Sequence, residues 1–139
     1  MDKLNNSKVY SRDDSQHFPE KGIYVFFENG KPLYVGRTDR MKERVKEHGN
    51  RSSGHNSATF AFILAKEEAE NKSLKINLKQ KRELLERNSL FKPIYDEMKD
   101  RVSKMQIKVV EVEDPVEQTF FEVYAALEWD TPYNVWENH

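Results

Sequence analysis

At 139 residues the chain has length for one domain around a single modest core. Hydrophobic content of 37% against 34% charged predicts well-exposed helices, and the net charge of −1 shows no overall basic excess. With no cysteine, disulfides and thiolate metal sites are excluded and a reducing, cytoplasmic setting is expected; no apolar run nears the ~20 residues of a membrane span, and the polar stretch through Glu20 is not a secretory signal.

In chain order, residues 1–20 read as a flexible polar lead-in to a domain over 21–139. Gly22-Ile23-Tyr24-Val25-Phe26-Phe27 and Leu33-Tyr34-Val35-Gly36 read as two strands of a hairpin across Glu28-Asn29-Gly30-Lys31-Pro32. A two-residue Asn-Gly turn would set Ile23, Val25 and Phe27 on one face with Tyr34 and Gly36, splitting the apolar set. A three-residue loop with Gly30 left-handed repairs this: Phe27 then pairs with Lys31, Tyr24 lies opposite Tyr34, and both tyrosines project from the face opposite Ile23, Val25, Phe27, Leu33 and Val35.

Thr38 or Asp39 can cap a helix that Gly49-Asn50 ends after His48. Ala58 to Glu70 reads as a second helix, although Thr59-Phe60-Ala61-Phe62-Ile63 also suits a strand. Residues 74–103 read as helical with an interruption near Pro93, and Met105–Val112 as a third strand. Asp114-Pro115-Val116-Glu117 starts a helix that runs to Trp129: Asp at the cap, Pro first, Glu third. On that helix Val116, Phe120, Val123, Tyr124 and Leu127 form one apolar face. Glu122 lies off it among Ala125, Ala126 and Trp129; a lone glutamate on a helix is ordinarily solvated, and these small or aromatic flanks add some weight to a partly covered cleft position. The fold class expected is α/β (α+β): a small three-stranded antiparallel sheet flanked by helices, with 66–104 as a charged helical insertion.

Charge is uneven along the chain. Residues 31–51 carry net +4 and residues 66–104 net +3, whereas Glu111 to His139 carries eight acidic residues and no Lys or Arg. A nucleic-acid surface on one side is compatible with that distribution, as is an ordinary mixed surface. The hairpin and the first helix bring the chemistry: two phenols, Tyr24 and Tyr34, with Arg44 and His48 four residues apart. Phenol, guanidinium and imidazole around one cleft suit phosphodiester chemistry. Taken singly, each has an ordinary alternative, such as a cross-strand aromatic pair or a solvated helix face.

In combination the chain resembles the GIY-YIG nuclease domains. Gly22-Ile23-Tyr24 matches the first half of that signature and Tyr34-Val35-Gly36 the second, with Val for Ile. The family's helix pattern is met by Gly36, Thr38, Met41, Arg44 and His48, with Met for Leu. Glu122 stands about a dozen residues before a terminal Tyr133-Asn134, as the family's acidic ligand does. The resemblance spans residues 21–134, with 66–104 outside the minimal family pattern.

The resemblance implies a metal-dependent endonuclease that hydrolyses DNA with one divalent cation, Mg²⁺ or Mn²⁺, held by Glu122. It implies Arg44 as the phosphate clamp, Tyr24 as the general base, and Tyr34 as the group orienting water or phosphate. His48 would receive the Tyr24 proton, and Asn134 would hold the site together. The expected partner is double-stranded or branched DNA, with a further domain or a second copy selecting the substrate. The alternative is a catalytically idle module of the same family that binds nucleic acid or protein.

Overall fold

In the computed structural model, which describes residues 5–134, strands β1 (Gly22–Glu28) and β2 (Lys31–Thr38) meet at a two-residue turn. Asn29 and Gly30 have φ of 54° and 77°, the left-handed pair that a type I′ turn requires, and Glu28 pairs with Lys31. The expected three-residue loop is therefore not used. Parity is corrected one step later: Phe27 pairs with Pro32 but Phe26 with Tyr34, so Leu33 is an extra residue bulged out of β2. Pro32 has no N–H to give the ladder, and the register slips beside it. Tyr24 consequently faces Gly36, not Tyr34, which sits two residues away from its expected partner. Because the displacement is even, Tyr24 and Tyr34 still share a face.

Strand β3 (Gln106–Glu111) joins the other side of β1 antiparallel, giving the order β2-β1-β3. The central strand is buried from Ile23 through Phe26. Tyr10 extends the β3 edge by exchanging two backbone bonds of 2.7 Å with Ile107. A short 3-10 helix, Arg12–His17, follows, with a capping box between Ser11 and Asp14. The Tyr10 and Phe18 rings pack edge to face at 5.5 Å. The stretch expected to be a flexible lead-in thus carries structure from Tyr10 onward, because two aromatic side chains and a strand edge tie it down.

The chain divides into two compact units. One runs through Val45 and resumes at Lys104; the other is Lys46–Ser103. Helix α1 (Met41–Gly49) begins in the first and ends in the second. Thr38 Oγ1 accepts the Arg40 N–H at 2.9 Å and the Met41 N–H goes to the Glu20 carbonyl, so the helix starts two residues later than Asp39.

Within the second unit, α2 (Thr59–Asn71) is helical throughout, and the strand alternative at its start is not taken. The stretch 74–103, expected to be helical with an interruption near Pro93, holds two helices, α3 (Arg82–Arg87) and α4 (Phe91–Ser103). Residues 74–81 are instead occupied by turns, where Asn77 Oδ1 accepts the Lys79 N–H at 3.1 Å. The break falls before Pro93, at Asn88, whose side chain caps α4 by accepting the Leu90 and Phe91 N–H groups. Pro93 lies in the first turn, where a missing N–H costs nothing. Phe62, Phe91 and Tyr95 form the aromatic centre of this unit, and Tyr95 donates its hydroxyl to the Ala58 carbonyl. Lys99, nearly buried, donates to the Arg51 and Ser53 carbonyls and pins the loop after α1. This helical unit begins well before residue 66, at Lys46.

Helix α5 (Pro115–Glu128) closes the first unit, with Asp114 Oδ1 accepting the Val116 N–H at 2.8 Å and Pro115 in the first turn. An amphipathic helix ordinarily turns its apolar stripe to the core. Here the opposite face packs. Ala125 and Ala126 meet Ile23, Val25, Val35 and Val110, with Phe27, Val112, Phe121 and Trp129 around them. Small side chains let the helix lie close on a sheet face already filled by branched residues. Val116, Phe120, Val123, Tyr124 and Leu127 are left exposed.

Candidate active site

The site is built around the side chain of Tyr24, only 2% exposed at the centre of the sheet. Its cross-strand partner Gly36 has no side chain, and the ring occupies that space: a Cβ at Gly36 would overlap Cζ and Oη of Tyr24. The phenol is thereby carried toward β2, the edge strand. Phe26 packs edge to face against it at 5.7 Å and fixes the ring plane.

Three of the expected residues meet this phenol inside the first unit. The Arg44 guanidinium, from the first turn of α1, donates to the Tyr24 oxygen, and Tyr34 and Glu122 stand close enough to act on it electrostatically. Arg44, Tyr34 and Glu122 are each half-buried. Burial pushes the Tyr24 phenol far above its ordinary value near 10, and Tyr34 and Glu122 push the same way. Arg44 opposes them through charge and hydrogen bond but does not prevail. The group is a neutral phenol.

Glu122 is brought here by the inverted packing of α5, since the face that holds Ala125 and Ala126 against the sheet carries Glu122 at its margin. Asn134 does not meet Tyr24 in this way; it works from the outer edge of β2. Its Oδ1 accepts the Val35 N–H at 2.9 Å, its Nδ2 donates to the Val35 carbonyl at 2.8 Å, and Thr131 Oγ1 donates to Oδ1 at 2.7 Å. One side chain thus imitates a neighbouring strand at the residue between Tyr34 and Gly36. His48 is fully buried, one helical turn after Arg44, and belongs to the second unit.

Gln118 was not anticipated. Fully buried on α5, it donates to the Val112 carbonyl at 2.6 Å and to Asp39 Oδ1 at 3.2 Å, tying α5 and the end of β3 to the turn that launches α1. A lone glutamine in an amphipathic helix gives no signal of such a role in sequence.

For a divalent cation the donor chemistry is hard oxygen: one carboxylate, Glu122, beside the phenols of Tyr24 and Tyr34. Among the described residues no three His, Asp or Glu side chains converge. A single carboxylate with open positions fits Mg²⁺, which keeps most of its waters, and does not fit a closed zinc-type cage.

No protein-family model matches the sequence, and no curated protein does. Among solved structures the chain is similar to the GIY-YIG N-terminal endonuclease domain of UvrC from Thermotoga maritima bound to magnesium, at 16% identity and a TM-score of 0.46, over 89% of this chain and 94% of that one. A tyrosine-to-phenylalanine point mutant of that domain, bound to its catalytic divalent cation, is similar at 15% identity and a TM-score of 0.46, over 90% and 94%. Among the described residues no helix is long and apolar enough to cross a membrane.

Proposed function

We propose that this chain is a metal-dependent endonuclease of the GIY-YIG class that hydrolyses DNA phosphodiester bonds. The observation that carries the reading is the meeting of Tyr24, Tyr34, Arg44 and Glu122, drawn from two strands and two helices, around one buried phenol. Structural packing alone gives no reason to gather a guanidinium, a carboxylate and two phenols there.

Each residue has a task that its chemistry suits. Arg44 offers a planar, permanently charged fork to phosphate oxygens. Glu122 would hold the cation, Mg²⁺ or Mn²⁺; when bound, that ion would polarise the scissile phosphate and stabilise the departing oxygen. Tyr34 orients the attacking water or the phosphate. Tyr24, being neutral, acts as a relay: it accepts the water's proton on its oxygen as it releases its own. His48 is assigned on the sequence pattern as the group that takes up that proton. Asn134 positions β2 by holding Val35. Exposed Arg37, Arg40 and Lys42 beside the start of α1 supply positive charge for the DNA backbone.

The direct test is to incubate the purified chain with supercoiled plasmid, single-stranded DNA and branched DNA, each with Mg²⁺, Mn²⁺ or EDTA. Cleavage of at least one substrate, abolished by EDTA, is expected. Binding without cleavage in every metal would favour the idle-module alternative.

A further inference from the structure

Helix α5 presents an apolar row to solvent. Val116, Phe120, Val123 and Leu127 recur at spacings of four, three and four residues, the interval at which one helix seats on another. They are 62%, 72%, 37% and 70% exposed, and Tyr124 widens the row at 55%. A contiguous apolar surface of this kind marks a contact site. Beside it a groove of about 750 Å³ runs between α5 and the end of β3, floored by Val110 and Phe121 and flanked by Phe120 and Tyr124. Its rim carries three carboxylates, Glu111, Glu113 and Glu117.

Charge identifies the occupant. From Val109 to Asn134 the chain has no Lys or Arg, while Asp114 and Glu128 add to the three rim carboxylates. We propose that this surface docks an amphipathic helix of another protein whose apolar seam is flanked by Lys and Arg, with one long cationic side chain laid in the groove. The aliphatic stem of that side chain would cover Val110 and Phe121, its charge would meet the glutamates, and the rings of Phe120 and Tyr124 suit a cation. A second copy placed α5 to α5 would set Glu113 and Glu117 against a helix with no basic residue to answer them. An anionic bilayer would be repelled by the same carboxylates.

The test uses the full chain and two synthetic helical peptides with identical leucine seams, one flanked by Lys and Arg and one by Glu, titrated by calorimetry at low and high salt. The cationic peptide should bind at least about tenfold more tightly, with the preference shrinking in salt. The double variant Phe120→Ser/Leu127→Gln changes two exposed side chains, so an unchanged circular dichroism spectrum and Tm are expected with binding weakened at least about tenfold. Glu113→Gln/Glu117→Gln should erase the preference between peptides and leave weak binding. Equal affinity for both peptides, or binding indifferent to Phe120→Ser/Leu127→Gln, would overturn the proposal. So would sedimentation showing self-association that the same double variant abolishes, since the row would then belong to a second copy. None of these readouts depends on DNA cleavage, and the proposal stands or falls apart from it.

Discussion

The ring of Tyr24 lies in the space where its cross-strand partner Gly36 lacks a side chain. The tyrosine of one signature half and the glycine of the other are therefore a single packing unit. Gly36→Ala would force the ring off its place, because the added methyl meets the ring carbon and oxygen and β2 is held by its ladder. A loss of about 1–3 kcal/mol in unfolding free energy is expected, as for other overpacked sites. In a Tyr24→Ala background the same change should cost much less, and a double-mutant cycle by chemical denaturation measures the difference. Equal costs in both backgrounds would show that the two residues are not coupled.

The buried phenol also predicts a pH dependence of stability. Tyr24 has its proton held more tightly in the folded chain than in the unfolded one, whose phenol titrates near 10. Below that value both states are protonated and the contribution is fully present. As pH rises above it toward the folded value, the unfolded chain releases a proton that the folded chain keeps, and stability falls. Tyr95 is displaced in the same direction, chiefly by burial. Denaturant midpoints measured from pH 8 to pH 11 should decline, and Tyr24→Phe should flatten the decline relative to wild type. An identical decline in the variant would place the titrating groups elsewhere.

At the β2 edge, Asn134 makes three hydrogen bonds, two of them to the backbone of Val35. Asn134→Ala leaves that N–H and carbonyl to find water and should cost about 1–3 kcal/mol. Amide hydrogen exchange at Val35 is the specific readout. Acceleration there beyond the change in global stability is expected, and unchanged protection would mean that other groups shield the edge.

Arg44 reaches the Tyr24 oxygen from a half-buried position on α1, where a lysine can be accommodated. Arg44→Lys keeps the charge and loses the planar fork, so the fold should persist while cleavage falls by about two orders of magnitude or more. Wild-type rates in this variant, with either Mg²⁺ or Mn²⁺, would remove Arg44 from the chemistry.

Much of this arrangement is legible in the sequence because period-two alternation is a strict rule. The shared face of Tyr24 and Tyr34 follows from the apolar pattern alone, even though the turn type and the bulge at Leu33 do not. The Asn-Gly turn and Pro32 each impose a local rule, and only the structure shows how the two are reconciled. The cap at Asp114 and the start at Pro115 are equally plain. What misleads is the wheel of α5: its most apolar face is exposed and its alanines are packed, because the sheet beneath already supplies bulk. Asn77 and Asn88 likewise spend their side chains on local turns and caps, which shortens the first part of 74–103 and sets the break at Asn88, a few residues before Pro93.

The inverted packing gives Glu122 its position and makes it the decisive test. Glu122→Gln keeps the size and hydrogen-bonding capacity of the side chain and removes the charge that a hard divalent cation needs. Glu122 is half-buried at the margin of the packed face, with Ala125 and Ala126 anchoring the helix independently, so Tm should change little. DNA binding should persist or tighten, since one carboxylate facing phosphate is gone. Cleavage should fall to the level of wild-type protein in EDTA, and raising Mg²⁺ or Mn²⁺ should restore little of it. Metal-dependent cleavage surviving at wild-type rate would exclude Glu122 as an essential ligand and direct attention to Glu117, Glu128 or Asp130, further carboxylates on or just after α5. Loss of DNA binding together with cleavage, at unchanged Tm, would instead show that the residue orders the binding surface and not the metal.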